Sequence, residues 1–245
     1  MYRAHRPEGL DRTVALKVLD DHHRQPAQMA QLQREFDFAH RLDHRHIVSV
    51  YECGPGWLTM ELIEGGTVAK LRGLPSRLIA LCEIADALDY AHRRGVVHCD
   101  VKPSNILVSD PFSIHGAALI DFGIAHSIAD GVGRRPAHIE ASLPYSAPEL
   151  LRGQAPSAAT DEYALACTAF ELITGAPPFT QTAALRLMDA QLNSPPPKAS
   201  HRIDWLPRAF DSIMSKALAK TEDNRYESCS EFISMLTRAM RYAIG

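Results

Sequence analysis

Apolar and polar positions divide the 245 residues into a short strand-rich stretch and a longer helical one. Val14-Ala15-Leu16-Lys17-Val18-Leu19 reads as a strand, and a polar break over residues 22–26 follows it. Leu32, Phe36 and Ala39 recur at helical spacing, which predicts a helix over residues 27–42. Residues 47–52 and 57–62 read as two further strands, with Gly54-Pro55-Gly56 as the turn of a hairpin. Gly65-Gly66 then marks a break.

From residue 76 the period becomes helical. Leu78, Leu81, Ala85 and Leu88 form one apolar face, with Ser76 as the expected cap and Gly95 just past the end. Short strands follow over 106–108 and 118–120. A helix over 161–174 is stopped by Gly175 and Pro177-Pro178. Helices over 182–192, 207–220 and 228–244 complete the set, the last opening on Ser228 and Glu231 as a capping box. Pro195-Pro196-Pro197 is a stiff connector, and the chain has no internal repeat. The pattern is a few antiparallel strands with one helix, then a mostly helical body.

Composition narrows the class. Hydrophobic residues at 46% and charged residues at 22% exclude a disordered chain. A net charge of −3 supplies no basic field for nucleic acid or an anionic membrane, and Arg93-Arg94 and Arg134-Arg135 read as solvated surface. Cysteines 53, 82, 99, 167 and 229 form no CxxC pair, which suits a reducing compartment. No apolar run reaches the roughly 18 residues of a membrane helix, and the first residues lack a signal peptide's apolar stretch. These features predict a soluble cytoplasmic protein.

The chemistry concentrates in His98-Cys99-Asp100-Val101-Lys102-Pro103-Ser104-Asn105, followed after two short strands by Asp121-Phe122-Gly123. Phosphoryl transfer needs such a set: a carboxylate to orient the attacking hydroxyl, a cation against γ-phosphate charge, and oxygen donors for Mg²⁺. In these motifs the chain resembles the eukaryotic-like serine/threonine protein kinases of bacteria, and the resemblance extends through Ala147-Pro148-Glu149 over nearly its whole length.

That resemblance implies a bilobal α+β fold, with residues 1–64 as a small antiparallel-sheet lobe and 65–245 as a larger helical lobe. It also implies that Mg²⁺ and ATP are used to phosphorylate protein Ser/Thr hydroxyls. It assigns Asp100 as catalytic base, Lys102 as the phosphate-neutralising lysine, and Asn105 and Asp121 as metal ligands. Val14-Ala15-Leu16-Lys17 is similar to the family's V-A-x-K strand. Lys17 would then hold the phosphates and Glu35 would be its partner; a lone strand lysine ordinarily reaches solvent, and a surface glutamate on a charged helix is the alternative for Glu35. Met60 is the implied gatekeeper, an assignment compatible with an ordinary core methionine. The backbone of Glu61 and Ile63 would meet the adenine edge, between Ala15 and Leu107. Asp161 resembles the brace of the catalytic loop, and Glu149 and Arg225 a buried ion pair.

Other residues carry weaker signals. His40, His44 and His46 read as polar surface rather than a metal site, and Cys99 is a candidate reactive thiol.

Three departures from the family qualify the reading. No Gly-rich loop precedes Tyr2-Arg3-Ala4, which resembles the strand after that loop. The expectation is therefore a truncated small lobe, arising from a mis-set start or a real truncation, with weakened nucleotide binding. Cys99 replaces the arginine before the catalytic aspartate, and residues 123–147 hold only Ser127, Ser142 and Ser146 as Ser/Thr hydroxyls. Both changes argue against switching by phosphorylation there. The competing expectation is a pseudokinase, a binding scaffold with little turnover.

Overall fold

Alternation in Thr13–Val18 yields strand β2, which buries Ala15. It pairs antiparallel with β1 (Tyr2–His5) on one side and β4 (Trp57–Glu61) on the other. With β3 (Val50–Gly54) they form one sheet in the order β1-β2-β4-β3. Gly56, at φ 81°, turns the β3–β4 hairpin as the sequence suggests. Strand β3 begins three residues later than expected because the preceding stretch is used elsewhere. The Val48 N–H donates to the Leu119 carbonyl at 3.0 Å, and the Leu119 N–H to the His46 carbonyl at 2.9 Å. The computed structural model describes residues 1–5, 13–20, 25–127 and 142–241. The expected break at 22–24, the basic pair at 134–135, residues 128–141 of the hydroxyl-poor segment and the last residues of the final helix lie outside them.

Helix α1 (Pro26–Ala39) starts on a proline, whose missing N–H costs nothing in the first turn. It ends three residues short of expectation, where the Leu42 N–H closes a tight turn onto Ala39. Helix α2 (Leu74–Arg93) begins two residues before Ser76: Gly73, at φ 82°, is its cap, Pro75 fills the first turn, and Ser76 lies inside the helix. Gly95, at φ 73°, sits just past the end as expected. The helices that follow are α3 (Phe112–His115), α4 (Pro148–Leu151), α5 (Ala158–Thr174), α6 (Ala184–Asn193), α7 (Arg208–Ala217) and α8 (Cys229–Met240). Helix α5 begins three residues before Asp161, since Ser157 and Thr160 complete a capping box there. Ser228 caps α8 by accepting from the Glu231 N–H at 3.1 Å, while the Glu231 carboxylate accepts from the Glu227 N–H rather than from the cap.

The core lies between α2 and α5, with α7 and α8 packed around them. The apolar face read from α2 is fully interior: Leu78, Leu81, Ala85 and Leu88 are all buried. Helix α5 is buried nearly all round, as a central helix must be. Two small two-stranded sheets lie at the edge of this body: β5 (Val96–Val97) with β8 (His126–Ser127), and the hairpin of β6 (Ile106–Val108) with β7 (Ala117–Leu119). Gly65 passes so close to β6 that a Cβ would stand 2.2 Å from the Val108 carbonyl, which pins the crossing from sheet to helical body against that strand. Among the described residues no helix is long and apolar enough to cross a membrane.

Candidate active site

Strand alternation places Ala15 and Lys17 on one face of β2. Helix α1 buries Leu32, Glu35 and Ala39 along one stripe, so a carboxylate is carried inward with two apolar anchors. The Lys17 Nζ donates to Glu35 Oε2 at 2.7 Å and stands 3.7 Å from Asp121 Oδ1. One cation thus faces two carboxylates. Burial pushes the Glu35 carboxyl up to about 7, Asp121's charge adds to that, and Lys17 opposes both. Burial acts against the Lys17 ammonium, but the Asp121 and Glu35 charges outweigh it and raise the lysine above its ordinary value. In place of solvated side chains, the structure pairs a half-buried Lys17 with a buried Glu35.

The β6–β7 hairpin juxtaposes the two expected metal ligands. Asn105 precedes β6, Asp121 follows β7, and the Ile120 N–H donates to the Asn105 carbonyl at 2.9 Å. Asp121 adopts φ 69°, a left-handed conformation uncommon for a non-glycine residue, and accepts from the Gly123 N–H at 3.3 Å. Phe122, fully buried, meets the edge of the His98 ring at 4.7 Å.

Asp100 is the most heavily engaged side chain. Lys102 Nζ donates to its two oxygens at 2.9 and 2.7 Å, Ser142 Oγ donates at 2.6 Å, and Asn105 Nδ2 at 2.9 Å. Lys102 also reaches Ser142 Oγ at 2.7 Å, and Asn105 Nδ2 reaches the Asp100 carbonyl at 2.9 Å. Those bonds commit the Asn105 amide nitrogen and turn its oxygen away from Asp100.

The loop carrying Asp100 is held from below. Asp161, with no exposed surface, accepts the N–H of His98 and of Cys99, each at 2.8 Å, and sits 2.8 Å from His92 Nε2. Its burial opposes ionisation, but His92, the nearby His98 and these N–H groups hold its carboxyl below the usual range. His98 accepts the Asp100 N–H at Nδ1, so its Nε2–H donates to the Ile120 carbonyl at 3.0 Å. Glu149 and Arg225 form the expected buried pair, bidentate at 2.8 Å twice, with Thr160 donating to Glu149 at 3.0 Å.

On the nucleotide side, Met60 is buried and lies opposite Ala15 in the β2–β4 register. The Glu61 N–H is taken by the Ser49 carbonyl at 2.8 Å, whereas the Ile63 N–H has no partner among the described residues. Leu107 is half-buried, on the face of β6 opposite the buried Ile106 and Val108.

Two candidates change character. Cys99 is buried at φ 66° with its thiol pushed well above the ordinary value by burial and then by the Asp161 and Asp100 charges, so it is not a reactive thiol. The three histidines diverge: His40 stacks on Phe36, His44 Nε2 stands 3.2 Å from Asp86, and the buried His46 bonds the Ala117 carbonyl at 2.8 Å, making it a structural residue rather than surface. Two contributors escaped the sequence reading. His92 was hidden in the last turn of α2, and the fully buried Gln191 had no motif around it; a polar residue on the inward face of an amphipathic helix is the one available signal.

The structure brings together a strand lysine, a helix glutamate, a hairpin aspartate and a braced Asp-Lys-Asn loop. Comparison with known proteins identifies the family. Residues 3–236 match the model of the protein kinase domain. Over 253 residues the chain is 36% identical to serine/threonine-protein kinase PknJ of Mycobacterium tuberculosis, covering 98% of this chain and 43% of that protein. It is 36% identical over 260 residues to PknF of the same species, covering 100% and 53%, and 33% identical over 246 residues to PknB, covering 94% and 39%. The chain belongs to the protein kinase family. It spans about half or less of the length of these relatives.

Proposed function

We propose that this chain transfers the γ-phosphoryl group of Mg·ATP to Ser/Thr hydroxyls of a protein, between a small lobe over residues 1–64 and a larger one over 65–245. The observation that carries the reading is the convergence of Lys17, Glu35 and Asp121 at 2.7 and 3.7 Å beside the loop of Asp100. Ala15, Met60, Leu107 and the backbone of Glu61 and Ile63 would enclose the adenine; the Ile63 N–H, without a partner among the described residues, is the available donor.

The metal fits the donors present. Asn105 offers an amide oxygen and Asp121 a carboxylate, both hard oxygen ligands of the kind Mg²⁺ prefers. These two residues would hold the ion, which when bound offsets charge on the phosphates. Lys17 is kept charged and aimed by Glu35. Asp100 receives the acceptor hydroxyl's proton as the new O–P bond forms and ADP leaves. Lys102 contacts both oxygens of Asp100 and would offset charge on the transferring phosphoryl group, while Asp100 accepts the substrate hydroxyl. Ser142 keeps the carboxylate oriented meanwhile.

The five cysteines are free, which supports a cytoplasmic setting. The decisive test is radiolabel transfer from ATP to a generic protein acceptor, with Asp100→Asn as control. Activity in the native chain and its loss in the variant is the expected result. A thermal shift by Mg·ATP with no transfer would overturn the enzyme reading in favour of a nucleotide-binding scaffold.

A further inference from the structure

Helix α6 buries three residues, Leu187, Ala190 and Gln191. Two are apolar. The third is an amide with no exposed surface, which costs free energy unless its hydrogen bonds are made. They are made, and they all lead toward the same place. Tyr163 of α5 donates its O–H to Gln191 Oε1 at 2.6 Å. Lys220 donates to that tyrosine oxygen at 3.2 Å and to the Ala190 carbonyl at 3.3 Å. The oriented amide then donates through Nε2 to the carbonyls of Leu143 at 3.0 Å and Pro144 at 2.7 Å. A flipped amide would set its oxygen against both carbonyls, so the tyrosine fixes the sense of the donation.

Leu143 and Pro144 directly follow Ser142, whose hydroxyl rests on Asp100. The turn Leu143–Tyr145 is further tied by Ser146 Oγ onto the Ser142 carbonyl at 3.0 Å, and by the Tyr145 O–H onto Glu171 at 2.5 Å. We infer that Gln191 is a positioning residue for phosphoryl transfer: by clamping the Leu143 and Pro144 carbonyls it sets where Ser142 meets Asp100 and fixes the adjoining surface on which the acceptor protein lies. This role rests on the kinase reading above. It sits on a different helix from every other residue assigned to the site, and Gln191 itself touches neither nucleotide nor acceptor.

The test compares the native chain with Gln191→Leu, which removes both donors, and Gln191→His, which retains one donor and one acceptor. Steady-state transfer to myelin basic protein gives KM for acceptor and for ATP separately, and amide hydrogen exchange reports on residues 142–146. The expected result for Gln191→Leu is an acceptor KM raised about tenfold or more with ATP KM within about twofold, as loss of acceptor positioning alone requires. Exchange should be faster at Leu143, Tyr145 and Ser146, and the histidine variant should fall between. An unchanged acceptor KM with kcat reduced only in step with the folded fraction, or unchanged exchange in that turn, would overturn the inference. If the native chain transfers no phosphate, the kinase reading fails, and the exchange measurement alone then decides the clamp.

Discussion

Replacing Asp161 by asparagine probes how the catalytic loop is built. The carboxylate accepts three bonds of 2.8 Å without solvent contact: Oδ2 takes the His98 N–H and faces His92, and Oδ1 takes the Cys99 N–H. An asparagine can preserve only one of these oxygens. The cheaper placement keeps the oxygen at His98 and His92 and turns the amide N–H₂ toward the Cys99 N–H, setting donor against donor. An orphaned buried donor costs about 1–3 kcal/mol, and removing one member of a buried charged network about 3–5 kcal/mol. The effect is compounded at Cys99, whose φ of 66° is held against a preference of about 1–3 kcal/mol. With its N–H released, that residue relaxes and carries Asp100 with it.

We therefore expect Asp161→Asn to lose about 3–5 kcal/mol of stability, lowering Tm by roughly 6–20 °C for a chain of this length. A fall of about a hundredfold in kcat should persist at temperatures where the variant remains folded, because a shift of about 1 Å at a reacting group has that cost. Guanidinium unfolding followed by circular dichroism gives the first quantity, and radiolabel transfer the second. The pH dependence supplies a further check. Asp161's carboxyl lies below its ordinary value in the folded state, so it contributes stability above the unfolded value of 3.8 and loses it as pH falls; the asparagine variant lacks that acid-side loss. A stability change under about 1 kcal/mol, or a kcat lowered only by the folded fraction, would refute the account of the brace.

Lys17→Met should abolish the thermal shift produced by Mg·ATP, a shift that in the native chain corresponds to about 2.7 kcal/mol at a hundred times Kd; an equal shift in both proteins would remove Lys17 from the nucleotide site. Glu162 is buried with Oε2 lacking a hydrogen bond, and burial pushes its carboxyl up to about 8 against the Tyr226 N–H and Arg225. Because the folded value is raised, its contribution is complete below 4.5 and lost as pH rises through about 8, on the order of 3–5 kcal/mol. Glu162→Gln should flatten the decline of Tm between pH 5 and pH 8.5 (roughly the window this shift defines), and an unchanged decline would show that the group titrates normally.

What could be read in advance was whatever depends on local period or short spacing. The stripe of α1 already carried Glu35 beside Leu32 and Ala39, and the alternation of β2 set Lys17 on the face of Ala15, so the pair followed once strand and helix were packed. The Asn105–Asp121 juxtaposition needs only one hairpin. Helix starts were misjudged where a glycine cap displaced a serine, at Gly73, because a left-handed backbone leaves no trace in hydrophobic period. The brace from His92 and the clamp from Gln191 were illegible for another reason: their partners lie 69 and 47–48 positions away, and nothing in either residue's neighbourhood says which carbonyl or carboxylate it will meet.

Cys99 shows how a departure from the family can be accommodated. What the position demands is backbone: a left-handed φ of 66° and an N–H delivered to Asp161 Oδ1. The thiol is turned inward, 3.7 Å from the Val97 carbonyl, and burial keeps it protonated. A neutral buried side chain offers no fork to a phosphate, whereas the arginine it replaces could pair one. The anchoring seen around Asp100 comes instead from Asp161 beneath the loop, Lys102 and Asn105 within it, and Ser142 across from it. Of these groups Ser142 lies across from the loop, and the two carbonyls next to it are the ones Gln191 grips.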